Sequence, residues 1–254
     1  MNIILFSKEE LSPDNTVVLS DERHLHIRDV LKGKKGDTVQ CGILGMSKGQ
    51  GYILSTDRQR SEISYTETDL PGQTLPITLI IGLVRPIQAR RILKAAATYG
   101  IAELLWVPTA LGEKSYAKAG LWEHEGHLPF LVDGASQGGH VLLPNLAICC
   151  SLNEAISACD IGGSGSNRKI ILHPGDGAEG FRRFYESYKE AKKDKPPHIC
   201  AAIGSERGWT KDELEVFRQS GFTPYALGPS ILRTEDAVHA VLSLLSFIQG
   251  QMDY

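Results

Sequence analysis

The sequence predicts a two-part α/β fold: a small β-barrel over residues 1–70, then an α/β domain with a parallel sheet over residues 74–254. Three observations carry this. Residues 1–70 hold short β segments spaced by turn signals, with Gly at 33, 36, 42, 45, 49 and 51, the pattern of a small barrel. From Leu75 onward the pattern changes to near-continuous apolar runs alternating with helical stretches, as in strands buried on both faces. Between the two lies Leu70-Pro71-Gly72-Gln73, a turn-forming linker.

In the first region the predicted strands are Ile3–Phe6, Thr16–Leu19, Thr38–Ile43, Gly51–Thr56 and Ile63–Thr66. A short helix fits Glu22–Leu31. In the second region the predicted strands are Ile77–Val84, Leu104–Val107, Leu146–Cys150, Lys169–Leu172, Ile199–Ile203 and Tyr225–Leu227. Pro86 suits the first turn of a helix that runs to Tyr99 and stops at Gly100. Thr210–Ser220 is a helix with a Thr210/Glu213 capping box, a Trp209/Leu214 staple and Gly221 as its stop. Ala237–Ile248 is apolar nearly all round, which suits a helix buried by the core and a dimer partner. Gly162–Ser166 reads as a flexible loop and Tyr188–Pro197 as a charged surface segment. There is no internal repeat.

With 42% hydrophobic and 22% charged residues, the chain has the composition of a soluble globular protein. The formal net charge of -3 does not announce a nucleic-acid binder, although a local basic patch attracts phosphate whatever the total. No apolar run approaches the roughly 20 residues of a membrane-spanning helix, and the N-terminus lacks a signal peptide's basic segment. The expected location is therefore cytoplasmic. Cys41, Cys149, Cys150, Cys159 and Cys200 are odd in number and form no C-x-x-C pair, which points to buried free thiols.

Three loops follow predicted strands: Leu172–Gly175, Ile203–Gly208 and Leu227–Glu235. In an open α/β sheet, ligands bind in the crevice outside the carboxyl ends of the strands. Gly204, Gly208 and Gly228 let backbone approach a ligand closely, while Arg233 and Glu235 add opposite charges. A structural alternative stands beside this, since Gly-Pro turns link strands to helices in any α/β protein.

Ile203–Leu214 resembles the I-G-P-E-G-G-[FL]-[ST]-x-x-E-[IL] motif of the ribosomal small subunit methyltransferase E family, a member of the SPOUT class. Leu227–Ala237 resembles its partner motif, L-G-P-R-[IV]-L-R-T-E-T-A. His26–Lys32 is similar to the family's H-x-x-R-V-L-R segment, Lys94–Gly100 to its Q-K-x-x-E-L-G helix, Ala135–Pro144 to its E-Q-x-G-R stretch and Ile171–Pro174 to its L-H-P strand end. Order and spacing hold from about residue 3 to residue 248.

The resemblance implies a PUA-like barrel followed by a parallel-sheet domain with a deep trefoil knot, an exception to the general absence of knots. It also implies a homodimer, a 16S ribosomal RNA substrate in the 30S subunit, and methyl transfer from S-adenosylmethionine to N3 of a uridine. No metal is implied. The cofactor pocket is then expected within Ile203–Ala240, with the Leu172 loop beside it. Its residues are Leu172, His173, Pro174, Ile203, Gly204, Ser205, Gly208, Leu227, Gly228, Ile231, Leu232, Thr234 and Ala237. The family pattern is not kept at Ser136, His140, Ser205, Arg207, Ser230 and Asp236, where glutamate, arginine, proline, glycine, arginine and threonine are usual.

Methyl transfer needs an in-line approach, and N3 of uridine carries a proton that must leave. Glu206 is therefore the candidate to orient the uracil or accept that proton, and Arg233 the candidate to hold a phosphate or uracil carbonyl. The alternative is that the two pair and only brace their loops. For RNA capture the candidates are Arg23, Arg28, Lys32 and Lys35 in a cluster with His24, His26 and Lys34, and the helical face Arg85, Arg90, Arg91 and Lys94. Nearby Asp21, Glu22 and Asp29 leave a merely solvated surface as the alternative to the first cluster. His124-Glu125-Gly126-His127 has its histidines three apart, so it is not the H-E-x-x-H zinc motif. A catalytically lapsed paralogue that serves in assembly, and a related enzyme acting on another RNA, are the competing functions; a nucleotide-dependent oxidoreductase lacks its G-x-G-x-x-G.

Overall fold

The computed structural model describes residues 2–161, 168–175, 177–191 and 196–250 of the chain. The expected loop Gly162–Ser166 lies outside them, as do residues 192–195 of the expected charged segment. The chain divides into two compact units, Met1–Gln73 with Val132–Leu143, and Thr74–Leu131 with Pro144–Tyr254.

The first unit contains β1 (Ile4–Phe6), β2 (Thr16–Leu19), α1 (Glu22–Leu25), β3 (Thr38–Ile43), β4 (Ser47–Thr56) and β5 (Ser61–Asp69). Its sheet runs β1-β3-β4-β5-β2, with β1 parallel to β3 and the other pairs antiparallel. Among the described residues no ladder joins β1 to β2, so the strands of the expected barrel form a five-stranded sheet without a closing ladder, over a core that Ile27 helps to fill. The alternating strand pattern turns Val17, Leu19, Ile53, Ile63 and Tyr65 inward, where Phe6 meets the edge of Tyr65 at 5.2 Å. β4 starts four residues before the predicted Gly51 because its glycines serve the ladder instead of breaking it. A Cβ at Gly51 would collide with the Cys41 sulfur and lie 2.6 Å from Ile63.

One helix was expected over Glu22–Leu31. α1 ends after a single turn and widens into a π-helical turn, His26–Val30, closed by Leu31 N–H donating to the His26 carbonyl at 2.9 Å. The widening buries Ile27 and leaves Val30 and Leu31 exposed. Residues 132–143 were read from sequence as part of the second region, yet they cluster with the first unit. The Ser136 carbonyl accepts from the Asn2 and Ile3 N–H groups, and its hydroxyl donates to the Ile3 carbonyl.

The second unit contains β6 (Leu75–Gly82), α2 (Pro86–Tyr99), β7 (Ile101–Val107), part of α3 (Leu128–Gly138), β8 (Asn145–Ile148), α4 (Leu152–Ile161), β9 (Arg168–Leu172), β10 (Glu179–Gly180), α5 (Phe181–Ala191), β11 (Ile199–Ile203), α6 (Lys211–Gln219), β12 (Thr223–Ala226) and α7 (Thr234–Ile248). All strands are parallel, in the order β10-β12-β9-β11-β6-β7-β8. The predicted α/β parallel sheet is thus present, with all six predicted strands displaced by no more than a few residues. Central β11 is buried along its whole length, as its Ile-Cys-Ala-Ala-Ile sequence requires. α2 carries Pro86 at its start and ends at Gly100 with φ 65°, and α6 has its capping box.

Three sequence readings change here. Tyr188 does not open a charged surface segment: it is a buried residue of α5, packed at 5.9 Å from Phe184. Cys150 is exposed, while the other four thiols are buried. α7 begins at Thr234, three residues earlier than read, and buries Val238, Val241, Leu242, Leu245 and Ile248 while leaving Leu244 and Phe247 exposed. Among the described residues no helix is long and apolar enough to cross a membrane.

Candidate active site

β9, β11 and β12 lie near one another in the sheet and all point the same way, so the loops after them emerge together at its carboxyl edge. The chain after β11 folds into a tight turn. Gly208 N–H donates to the Ser205 carbonyl at 2.9 Å, with φ 72° at Gly208. Gly204 packs directly on that turn, and a Cβ there would sit 2.7 Å from the Gly208 Cα. Gly82, at the end of β6, is required for a similar reason, since a Cβ on it would collide with the Ser205 backbone nitrogen. Ser205 is buried and its hydroxyl meets that of Thr109 at 3.1 Å. The departure from the family's proline is therefore accommodated by a hydroxyl partner on the loop after β7.

The second loop leaves β12 through Gly228, whose φ of 153° disfavours a side chain, and enters α7 at Arg233. The Thr234 hydroxyl reaches the Gly204 carbonyl at 3.4 Å, tying the two loops together. The third loop is held by His173 N–H donating to the Tyr225 carbonyl at 3.1 Å. These loops enclose a cavity of about 810 Å³, within the range of small-molecule sites.

All thirteen residues expected to bind the cofactor line this cavity, and so do Glu206, Arg233 and Arg85. Gln88, Arg207, Trp209, Tyr225, Ala226, Ser230 and Glu235 line it too. Gln88 stands one helical turn beyond Arg85, a spacing that would have shown it on the same face. Tyr225 and Ala226 fell inside a predicted strand, and nothing in the sequence separated them from the core.

Glu206 and Arg233 form no ion pair among the described residues, which removes the loop-bracing alternative in its direct form. The Glu206 carboxylate instead accepts the Arg85 backbone N–H at 3.0 Å, at the start of α2. The Arg85 guanidinium donates through Nε to the Tyr116 hydroxyl at 3.2 Å. That phenol oxygen, and then the Glu206 carboxylate, hold the guanidinium above the ordinary arginine range. Glu235 is buried and its carboxylate lies 3.4 Å from Arg91.

The two RNA-candidate groups fare unevenly. Arg23 pairs with Glu10 and Asp21 at 2.6 Å each and donates to the Leu5 carbonyl, so its head group braces the first unit. His24 is buried against Ser61 at 2.8 Å and is not part of an RNA-facing surface. Arg28 pairs with Asp29 at 2.7 Å and donates to the Arg58 carbonyl. Lys32, Lys34 and Lys35 are exposed, with Lys32 at φ 54°. On α2, Arg90 and Lys94 lie over the Phe130 ring at 5.2 and 5.9 Å, and Arg91 is engaged by Glu235. Of these three only Arg91 borders the cavity through its partner. Among the described residues no group of three His, Cys, Asp or Glu side chains converges to hold a metal ion.

A family model described as an RNA methyltransferase domain matches residues 71–246. The ribosomal RNA small subunit methyltransferase E of Treponema pallidum is 33% identical over 96% of this chain and 90% of its own length. Its namesake from Borreliella burgdorferi, ribosomal RNA small subunit methyltransferase E 1, is 27% identical over 94% and 95%. The crystal structure of a ribosomal RNA small subunit methyltransferase E from Neisseria gonorrhoeae, bound to S-adenosylmethionine, superposes with a TM-score of 0.72 over 98% of both chains at 20% identity.

Proposed function

We propose that this chain, which belongs to the ribosomal RNA small subunit methyltransferase E family, transfers a methyl group from S-adenosylmethionine to N3 of a uridine in 16S ribosomal RNA. The observation that carries the reading is the convergence of three strand-end loops on one cavity beside a charged helix start. The relatives that match nearly the whole chain are named for this RNA, and a structural neighbour holds the cofactor.

The residues fit such a cofactor. Gly204, Gly208 and Gly228 present bare backbone, and no neighbouring atom would meet a Cβ at Gly208 or Gly228 within 4 Å, so that side of each is open. S-adenosylmethionine supplies the transferable methyl group when bound. Leu172, Ile203, Leu227 and Ile231 provide apolar walls, and the backbone of the glycine turns provides donors and acceptors for its polar edges.

On the substrate side, one oxygen of Glu206 is fixed by the Arg85 N–H, which leaves the other to orient the uracil or accept the N3 proton. Arg233, exposed beside the cavity, would hold a phosphate or uracil carbonyl. Lys32 and Lys35 on the first unit would add phosphate contacts. The reading brings with it a PUA-like first domain, a trefoil knot in the second, a cytoplasmic location and a homodimer, for which exposed Leu244 and Phe247 on α7 are candidate contacts.

The test is methyl transfer to 30S subunits from labelled cofactor, followed by mapping of the modified base. Incorporation at a uridine N3 supports the reading. Cofactor binding without transfer to any ribosomal RNA would overturn it in favour of a lapsed paralogue.

A further inference from the structure

Tyr116 lies on the segment after β7, outside every motif that pointed to the site, yet it touches the site through Arg85. Its hydroxyl accepts the Arg85 Nε–H at 3.2 Å. Its carbonyl accepts the Trp122 indole N–H at 2.9 Å. The Trp122 ring packs at 5.1 Å on Trp106, which is fully buried in β7. A continuous brace therefore runs from the core through Trp122 and Tyr116 to an arginine at the cavity wall. Arg85 is anchored at its other end as well, because its own backbone N–H is held by Glu206.

Arginine has five N–H donors in a planar fork, and the bond to Tyr116 occupies only the one at Nε. No carboxylate is in ion-pair contact with this guanidinium among the described residues, although it lines the cavity. A long exposed side chain normally loses rotamer entropy on meeting a ligand. One already fixed at its Nε has less to lose, and its terminal donors keep one orientation.

We propose that Tyr116 is a positioning residue that presents the Arg85 guanidinium to a backbone phosphate of the RNA next to the target nucleotide. The inference rests on the RNA-substrate reading above. Bidentate Arg–phosphate contact matches the geometry of the two terminal nitrogens, whereas the Nε-bound phenol fixes the plane of the fork. Tyr116 itself need not touch RNA.

The experiment measures affinity for 16S ribosomal RNA in 30S subunits, together with S-adenosylmethionine affinity, for the wild type, Arg85→Gln, Tyr116→Phe and the double variant. Arg85→Gln should weaken RNA binding about tenfold and lower the salt dependence by about one phosphate. Tyr116→Phe, which removes only the hydroxyl, should weaken it about threefold, a loss in the direction expected for one less-ordered charge-assisted contact. In the Arg85→Gln background Tyr116→Phe should have no further effect, which is the coupling a merely structural role would not produce. Trp122→Phe should repeat the Tyr116→Phe effect through the lost indole N–H. Additive losses, an unchanged RNA affinity in Tyr116→Phe, or an equal loss of cofactor affinity would each overturn the proposal. A wild type that binds no ribosomal RNA would overturn the substrate reading together with this inference; a wild type that binds it with Tyr116→Phe unchanged overturns this inference alone.

Discussion

The carboxylate of Glu206, on the turn after β11, accepts the backbone N–H of Arg85, more than a hundred residues earlier in the chain, at 3.0 Å. The bond satisfies a donor at the start of α2 and places a negative charge where the helix dipole favours one. It also fixes the direction of the carboxylate on that turn.

Glu206→Gln separates the two uses of that side chain. The amide oxygen can still accept from Arg85, so S-adenosylmethionine affinity, read by calorimetry, should stay within about twofold of wild type. If Glu206 takes the N3 proton, single-turnover methyl transfer should slow by about 10²-fold or more. Full transfer activity in this variant would remove it from the proton path and leave only the orienting role.

Gly82 is the point where β6 passes under the Ser205 turn. A methyl group there would meet the Ser205 backbone nitrogen and lie 2.7 Å from the Thr109 side chain. Gly82→Ala should therefore displace the turn, at a cost of about 1–3 kcal/mol for overpacking. The expected outcome is a lower melting temperature together with weaker cofactor binding, and unchanged values of both would show that the turn is free to shift.

Lys32→Glu addresses the exposed lysines of the first unit. Position 32 is left-handed with φ 54° in either variant, so the backbone strain is common to both. Affinity for ribosomal RNA should fall, with a shallower dependence on salt, while cofactor affinity is unchanged. An equal fall in both would mean that the substitution acts through folding.

Acid should weaken the first unit through the Arg23 network. The Arg23 hydrogen bonds are the largest influence on Asp21 and hold its carboxyl below the usual aspartate value. For Glu10, burial pushes upward, but the Arg23 bond, the Ser7 N–H and the Arg23 charge outweigh it and the carboxyl is lowered. A carboxylate lowered in the folded state contributes stability that is present above its unfolded pKa and lost as pH falls through the folded value. The loss should begin near the ordinary carboxylate values, 3.8 for Asp21 and 4.5 for Glu10, and continue below them. Arg23→Met should flatten that part of the pH–stability profile, measured by denaturant unfolding between about pH 6 and pH 2. An unchanged profile would show that the network adds nothing to stability.

Much of this protein was legible in its sequence because the signals are local. Apolar runs specify strands buried on both faces, Pro86 and Gly100 bound a helix, and Thr210 with Glu213 writes a capping box whose partners are three residues apart. The glycines of the strand-end loops marked where backbone had to come close to something, and every residue expected at the cofactor lines one cavity. Strands, helix ends and caps can be read from composition and spacing because the interactions involved lie within a few residues of each other, whereas the cofactor residues were expected from the family resemblance.

The tertiary structure decided what depends on distant partners. Arg23 and His24 carry the same lettering as a basic surface, but Glu10 and Ser61 draw them inward. Ser136, which stands where the family usually has glutamate, is a hydrogen-bonding anchor for Ile3. The one-turn α1 yields to a π-helical turn that buries Ile27. Above all, the loops that the sequence marked as a pocket gain Arg85, itself held by the Tyr116 hydroxyl, and neither residue shares a motif with Glu206. Hydrogen bonds between residues far apart in the chain depend on which strands become neighbours, and that is set by packing of the whole sheet. The segment Ile203–Ala240 thus marked itself as a candidate site by its own residues, whereas the bond between Glu206 and Arg85 was determined only when the sheet brought β11 beside β6.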